Sequence, residues 1–221
     1  MNSAAKKFLI SKYRIGEIPY ESISMFKQMP ILKGEYTIPT HLISFNDINQ
    51  KHDYSAGVHM FLDDMKLECI WNNPNRYIQK LKNYQCVFTP DFSLLLDMYE
   101  PVIEWNSYRS KHIGVLMQKN DIKVIPTISW AGRNTYDACF DGYPRNSVIV
   151  VSSLGVMKKK LSLPFFMEGF REMLRRLSPS TIIFYGLIPK FDFETPPIVH
   201  FENTNLAWKN CYQPTLIEEV I

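Results

Sequence analysis

Residues 86–130, CVFTPDFSLLLDMYEPVIEWNSYRSKHIGVLMQKNDIKVIPTISW, form a complete strand–helix–strand unit in the sequence. An apolar run over 86–89 ends at Pro90-Asp91, and a second apolar run begins at Val124. The segment between them is long enough to form a helix that crosses back over a sheet, so the two strands should lie parallel. Because ligands bind parallel sheets where strands end and helices begin, this stretch predicts both a fold and the edge that would carry a site.

Glu100-Pro101 marks the start of the crossing helix. Large side chains recur along it at spacings of three and four residues, which predicts the face that packs on the sheet. The residues of this predicted face are Val102, Trp105, Tyr108 or Arg109, His112 and Leu116.

Four further apolar runs predict strands, and helical segments separate most of them. The runs occupy residues 42–45, 58–62, 148–151 and 181–185. Helices are predicted at about 74–84, at 134–140 and, most clearly, at 163–177, where apolar and charged residues segregate to opposite faces. The pattern indicates an α/β fold with a mainly parallel sheet of about six strands, either a distorted or incomplete (β/α) barrel or an open doubly wound sheet.

The α/β core is expected to span residues 40–188. Residues 1–39 are rich in aromatics but interrupted by glycine and proline, so they predict an ordered extension packed on the core. Residues 189–221 contain three prolines by Pro197 and predict a C-terminal wrap. The chain is therefore interpreted as one domain with two aromatic-rich terminal extensions.

Composition narrows the class of protein. A hydrophobic fraction of 46% is that of a folded protein, and no apolar stretch is long enough to cross a bilayer. The start of the chain lacks the features of a secretory signal, so we expect a cytoplasmic protein with no membrane partner. The net charge of +3 neither requires nor excludes a nucleic-acid partner.

The four cysteines are widely scattered and have no histidine at metal-ligand spacing. They predict reduced, mostly buried thiols and no metal site of their own. The sequence also lacks a Walker A loop, GxGxxG, HExxH and GxSxG, and it names no cofactor.

Candidate site residues are consequently chosen by position. Polar residues that follow predicted parallel strands should converge on one edge of the sheet, and these are Asp63, Asp91, Ser129, Ser152 and Tyr185. Asp63, with Asp64, suits a divalent cation or proton transfer, with Asp91 as the candidate third ligand. A solvated turn or a helix cap is the alternative for this pair.

Asp91 and Arg109 belong to the same strand-to-helix unit. The guanidinium would either hold the carboxylate ionised or grip an anionic ligand. The alternative is structural, with Asp91 and Ser93 capping a turn and Arg109 forming an ion pair elsewhere.

Aromatic and basic residues complete the set. Trp130 follows a strand and could stack on a base or sugar, whereas Trp105 and His112 are expected in the core. Lys159, within a run of three lysines, could meet a phosphate group, and a solvated loop is its alternative.

Several motifs resemble one known family. These are HMFLDD, IWNNPNRYIQKL, VFTPDFSLLLDM, EWNSYRSKHIG, KVIPTISWAG and CFDGYPRNSVIVVSSLG, together with the 166–177 helix and IIFYG. Over about residues 37–188 the chain resembles domain of unknown function 4417, found in bacteria and in prophage or mobile-element genomes. The resemblance implies a phage or mobile-element protein and carries over no activity, cofactor or catalytic residue.

The first functional interpretation is a small anionic or nucleotide-like ligand bound at the strand-exit edge, with hydrolytic or transfer chemistry. Asp91 would act as acid or base, Arg109 and Lys159 would hold the anion, and Trp130 would stack. The alternative is a nucleic-acid or protein interaction module that uses the basic face of the 163–177 helix. Positive charge concentrated in a cleft would favour the first, and a broad positive stripe along that helix would favour the second.

Overall fold

Six α-helices and eight β-strands make up the part of the chain that the computed structural model describes, residues 3–50, 52–154, 162–203 and 215–217. The helices are α1 (Ser3–Tyr13), α2 (Asp64–Asn72), α3 (Pro74–Leu81), α4 (Glu100–Gln118), α5 (Tyr136–Phe140) and α6 (Ser162–Leu177). The strands are β1 (Leu42–Ser44), β2 (Gly57–His59), β3 (Cys86–Phe88), β4 (Val124–Ile125), β5 (Val148–Ser152), β6 (Thr181–Tyr185), β7 (Ile198–Phe201) and β8 (Thr215–Ile217).

The strands form two sheets in which neighbours follow chain order, β1-β2-β3-β4 and β5-β6-β7-β8. Every pair is parallel except β7 with β8. A parallel bridge between Thr127 and Val150 connects the sheets, and the Val150 amide donates to the Pro126 carbonyl at 2.8 Å. The mainly parallel α/β fold predicted from the sequence is confirmed.

The strand order indicates an incomplete barrel rather than a doubly wound sheet. A doubly wound sheet reverses its order at a switch point, whereas here successive crossovers continue in one direction. The face away from the helices is filled by one apolar cluster with members from both sheets: Leu42, Phe61, Cys86, Phe88, Ile125, Val148, Val150, Ile183, Tyr185, Val199 and Phe201. We call this the inner cluster. Among the described strands β1 and β8 are edges, so the barrel does not close.

Residues alternate between the inner cluster and the helix layer along β5. Val148 and Val150 belong to the inner cluster, while Ile149 and Val151 pack toward α6. Burial on both faces is why these strands are continuous apolar runs in the sequence. The predicted pairing within residues 86–130 is also confirmed, since β3 and β4 pair with Phe88 opposite Ile125.

Two helices and two strands were not predicted, namely α1, α2, β7 and β8. α1 has no buried side chain and hence no apolar face to reveal it. α2 buries Leu67, Ile70 and Trp71, a three-and-four spacing that could have revealed it. β7 pairs with β6 although its sequence lies in the segment 189–221, where the preceding prolines suggested a wrap.

The face of α4 that packs on the sheet differs from the predicted one. Val102 is 44% exposed, and Trp105 stacks on Tyr108 at a ring distance of 5.7 Å, away from the strands. Leu116 of the predicted face does pack in the core with the strands, but so do Ile113 and Met117, which were not predicted. A Cβ added to Gly114 would lie 2.8 Å from Thr89 Cγ2, so α4 approaches the end of β3 closely at this position.

The described cysteines Cys69, Cys86 and Cys139 are free thiols, and Cys211 lies outside the described residues. None of the helices described here combines the length and apolarity needed to span a bilayer.

His59 is a buried exception within the barrel. Its ring lies 5.0 Å from that of Tyr185 and 5.7 Å from that of Phe61. Neither ring nitrogen has a hydrogen-bond partner among the described residues. Burial lowers the pKa of His59 to about 4, with Asp47 opposing the shift. The imidazole is therefore neutral in the folded protein at ordinary pH.

Replacing Ile125 by Ala should destabilise the fold by about 2 to 5 kcal/mol, because the side chain is fully buried in the inner cluster. Denaturant titration measures the change. A loss below about 1 kcal/mol would contradict the close packing of the inner cluster at this position.

His59→Leu should reduce the loss of stability on acidification. As pH falls, the unfolded chain protonates His59 near its ordinary pKa of about 6.5, before the folded chain does. Protonation of this group therefore lowers the free energy of unfolding by up to about 3 kcal/mol by about pH 4. Denaturant titrations at pH 7 and pH 4 give the difference for wild type and variant. His52→Leu, at an exposed position, is the control. Equal pH dependence in wild type and His59→Leu would contradict the buried neutral imidazole.

Candidate functional site

A small cavity lies at the carboxyl ends of β3 and β4, under α4. Its volume of about 10 Å³ is the space of about one water molecule. The polar residues that line it are Asp91, Asn106, Ser107, Ser110, Thr127, Ser129 and Tyr143. They come from two strand exits, from α4 and from the turn after α5, so the crossover unit of residues 86–130 builds most of the site.

Asp91 is the only acidic residue in this lining. Ser129 Oγ donates to Asp91 Oδ1 at 2.6 Å, and no cation of the described chain lies within ion-pair distance of the carboxyl group. Burial raises the pKa of Asp91 to about 6; Asp64 acts in the same direction, while the Ser129 hydrogen bond opposes both. Asp91 can therefore gain or lose a proton near neutral pH.

Four other hydroxyl groups at the cavity donate to backbone carbonyls. These bonds are Ser107 Oγ to Ala138 O (3.2 Å), Ser110 Oγ to Pro90 O (2.6 Å), Thr127 Oγ1 to Thr89 O (2.9 Å) and Tyr143 OH to Thr127 O (2.9 Å). A carbonyl has no proton to give, so the hydroxyl must be the donor in each bond.

Lys111 lies behind this wall and is fully buried. Its Nζ donates to Ser107 Oγ and, at 3.1 Å each, to the carbonyls of Ala138 and Cys139. The ammonium is also 4.4 Å from the Tyr143 ring centroid. Burial lowers the pKa of Lys111 to about 8, although nearby Cys139 and Asp141 oppose this. Lys111 thus links α4 to the end of α5 by hydrogen bonds.

Sequence reasoning missed Ser107, Ser110, Lys111 and Tyr143. The first three share the sheet-facing side of α4 at three-and-four spacing, which is a usable signal when polar residues are included in the periodicity. Tyr143 follows α5 and had no such signal.

Arg109, predicted beside Asp91, faces α2. Its guanidinium pairs with Glu68, donates to Asn106 Oδ1 at 2.7 Å and lies 3.9 Å from the Phe92 ring centroid. Arg109 contacts the cavity only through Asn106 and Phe92, which line it. This is the structural ion pair that the sequence left as the alternative.

Trp130 packs on the outer side of the sheet, in an aromatic cluster with Phe140, Phe166 and Phe170. Gly169 of α6 makes this possible, because a Cβ there would lie 2.1 Å from Trp130 Nε1. Trp130 is therefore close in sequence to Ser129 but does not line the cavity.

The remaining candidates are dispersed. Ser93 donates through its amide and hydroxyl to Asp64 Oδ1, both at 2.9 Å. Asp63 precedes α2 with its side chain 84% exposed. Ser152 Oγ accepts from the Leu154 amide, and Tyr185 lies in the inner cluster. Lys159 lies outside the described residues.

Of the predicted set, the structure brings Asp91 and Ser129 together at the cavity. Within the described residues, no group of three or more histidine, cysteine, aspartate or glutamate side chains could hold a metal ion.

Comparisons with known proteins show that the chain is similar to phage proteins. It is 36% identical over 177 residues to the Gene 1 protein of Mycobacterium phage L5, which covers 78% of this chain and 76% of the relative. It is 34% identical over 163 residues to the Gene 1 protein of Mycobacterium phage D29, covering 72% of this chain and 60% of that relative's length. No solved structure matches. A family model described as Domain of unknown function (DUF4417) matches residues 20–202, and the chain therefore belongs to this family.

Proposed function

We propose that the protein binds a small polar ligand at the cavity beside Asp91 and that Asp91 exchanges a proton with it. One observation carries the proposal: a half-buried carboxyl group lies at the carboxyl edge of a parallel sheet with a single hydroxyl partner. Parallel α/β folds bind their ligands at this edge.

Glu172 illustrates a carboxylate with a structural role in this chain. Glu172 accepts from both Arg175 and Arg176, and these hydrogen bonds lower its pKa to about 2. Asp91 has the opposite shift. A raised pKa near neutrality is what acid–base chemistry needs, and it costs folding stability whenever the group ionises.

The charge around the cavity bears on the ligand. An anionic ligand was expected from the sequence because Arg109 and Lys159 were to hold it. Arg109 is engaged by Glu68, and the carboxylate of Asp91 repels anions. A neutral or cationic ligand has more support. A nucleotide-like ligand would place only one small group, such as an amino group, in a space of this size.

Proton exchange has more support than hydrolysis. Hydrolysis of an acyl or phosphoryl group needs donors aimed at a developing oxyanion. Here the hydroxyl protons of Ser107, Ser110 and Tyr143 are directed to backbone carbonyls. The proposal also places the protein in the cytoplasm, where free thiols such as those of Cys86 and Cys139 stay reduced.

The alternative, an interaction module on α6, has less support. Its arginines are paired with carboxylates: Arg171 with Asp192, Arg175 with Glu172, and Arg176 with both Glu172 and Asp137. These pairs neutralise much of the positive face that would contact phosphates.

Asp91→Asn should stabilise the protein at pH 7 by up to about 3 kcal/mol. A carboxyl pKa raised from about 3.8 to about 6 means that ionisation at pH 7 disfavours the folded state by this amount, and the difference shrinks as pH falls toward 4. The groups facing Asp91 are Ser129 and Asp64, with Lys111 behind the wall. Denaturant titration at pH 7 and pH 4 measures the effect, with the exposed Asp63→Asn as control.

The same variants test binding. A panel of small amines, amides, alcohols, carboxylates and nucleosides is screened for a rise in melting temperature. We expect at least one compound to stabilise wild type and Asp63→Asn but not Asp91→Asn. Destabilisation of Asp91→Asn by more than about 1 kcal/mol at pH 7 would assign Asp91 a structural role, and a panel without any hit would contradict ligand binding.

A further inference from the structure

We infer that the group entering the cavity is a primary ammonium group, so that the ligand is an amine. This inference rests on the proposed function and deepens it by naming the ligand class. It follows from which atoms at the cavity still have hydrogen bonds to give or to accept.

The cavity presents acceptors. The hydroxyl protons of Ser107, Ser110 and Tyr143 are donated to carbonyls, and that of Ser129 to ionised Asp91. A hydroxyl that has donated its one proton can still accept; Ser107 already accepts from Lys111 Nζ, which leaves Ser110, Ser129 and Tyr143 as the main hydroxyl acceptors. The carboxylate of Asp91 adds further lone pairs, so acceptors outnumber donors and favour a partner that donates.

Asn106 is held in place by its neighbours. Its Nδ2 donates one of its two protons to the Ser93 carbonyl at 2.8 Å, and its Oδ1 accepts from Arg109. The amide therefore has at most one N–H left for the cavity, fewer than the acceptors that surround it. An amide could otherwise adapt to either kind of ligand by rotating.

The charges favour a cation. Asp91 lines the cavity, and Asp64 lies close enough to raise the pKa of Asp91. The opposing charge is that of Lys111, whose three protons go to Ser107, Ala138 and Cys139 on the far side of the wall. Arg109 is balanced by Glu68. A ligand in the cavity would therefore contact the Asp91 carboxylate directly, whereas a layer of side chains separates it from the Lys111 ammonium.

The size selects the kind of cation. A space of about one water accepts an ammonium head group, whose three protons match several converging oxygens. A quaternary ammonium group is larger and has no proton to donate. The rest of the amine would extend out of the cavity, whose lining also includes the apolar side chains of Leu94 and Phe92.

The test uses methylammonium chloride as the probe and the full-length protein. The pH titration of the Asp91 carboxyl carbon is followed by NMR with and without the probe. We expect saturating methylammonium to lower the apparent pKa by about one unit, which corresponds to tenfold tighter binding to the ionised carboxylate. Tetramethylammonium, potassium chloride and acetamide at the same ionic strength should leave the titration unchanged.

Tyr143→Phe provides the variant arm, since it removes one acceptor and keeps the ring. We expect methylammonium to bind about tenfold more weakly, and the exposed Tyr36→Phe serves as control. Should Tyr143→Phe fail to fold, Ser110→Ala removes another acceptor from the same wall.

The outcomes separate the two proposals. An equal effect of potassium would indicate a general monovalent-cation site, and an effect of acetamide or a nucleoside in place of methylammonium would indicate a neutral ligand. Either result overturns the ammonium inference and leaves the proposed function standing. An Asp91 that titrates near its ordinary pKa of about 4 and responds to no probe would overturn both.

Discussion

The close approach of α4 to the strands is the constraint on which the rest of the structure depends. Gly114 permits it, because a Cβ there would lie 2.6 Å from Leu32 and 2.8 Å from Thr89. Once α4 lies this near, Ser110 reaches the carbonyl that follows β3, and Lys111 reaches the end of α5. Arg109, on the next face, reaches Glu68 of α2. One helix therefore fixes three neighbouring elements and, between them, leaves the small cavity beside Asp91.

The fold encloses three titratable groups wholly or in part. His59 and Lys111 have pKa values lowered by burial, and Asp91 has one raised by burial. Lys111 satisfies its protons with neutral oxygens, which stabilise the cation less than a carboxylate would. Of the three, only Asp91 lines a cavity open to solvent. That difference separates a group that a ligand could reach from two groups that the protein encloses.

Much of the fold follows from periodicity, but the site follows only in part. The runs at β3, β4, β5 and β6 are apolar because both faces of these strands are buried, and such runs predict strands. Asp91 and Ser129 were predicted because they follow strands of one sheet. The ion-pair partner of Arg109 could not be predicted from the sequence, because it depends on how α2 packs against α4. The cavity-lining residues Ser107 and Ser110 of α4 were missed because only large side chains entered the periodicity on which the prediction rested.

The direction of the hydrogen bonds says more about the ligand than the net charge does. The chain carries +3, which by itself indicates no particular ligand, and the charged groups of α6 largely pair with each other. At the cavity, Ser110 and Ser129 each donate to a carbonyl or carboxylate oxygen, so these hydroxyls are left able only to accept from a ligand. A hydroxyl at the cavity could donate to a ligand only if the carbonyl that it now serves accepted a hydrogen bond from another donor. Because Pro90 and Thr127 belong to the strand exits, the backbone itself holds the site in its acceptor state.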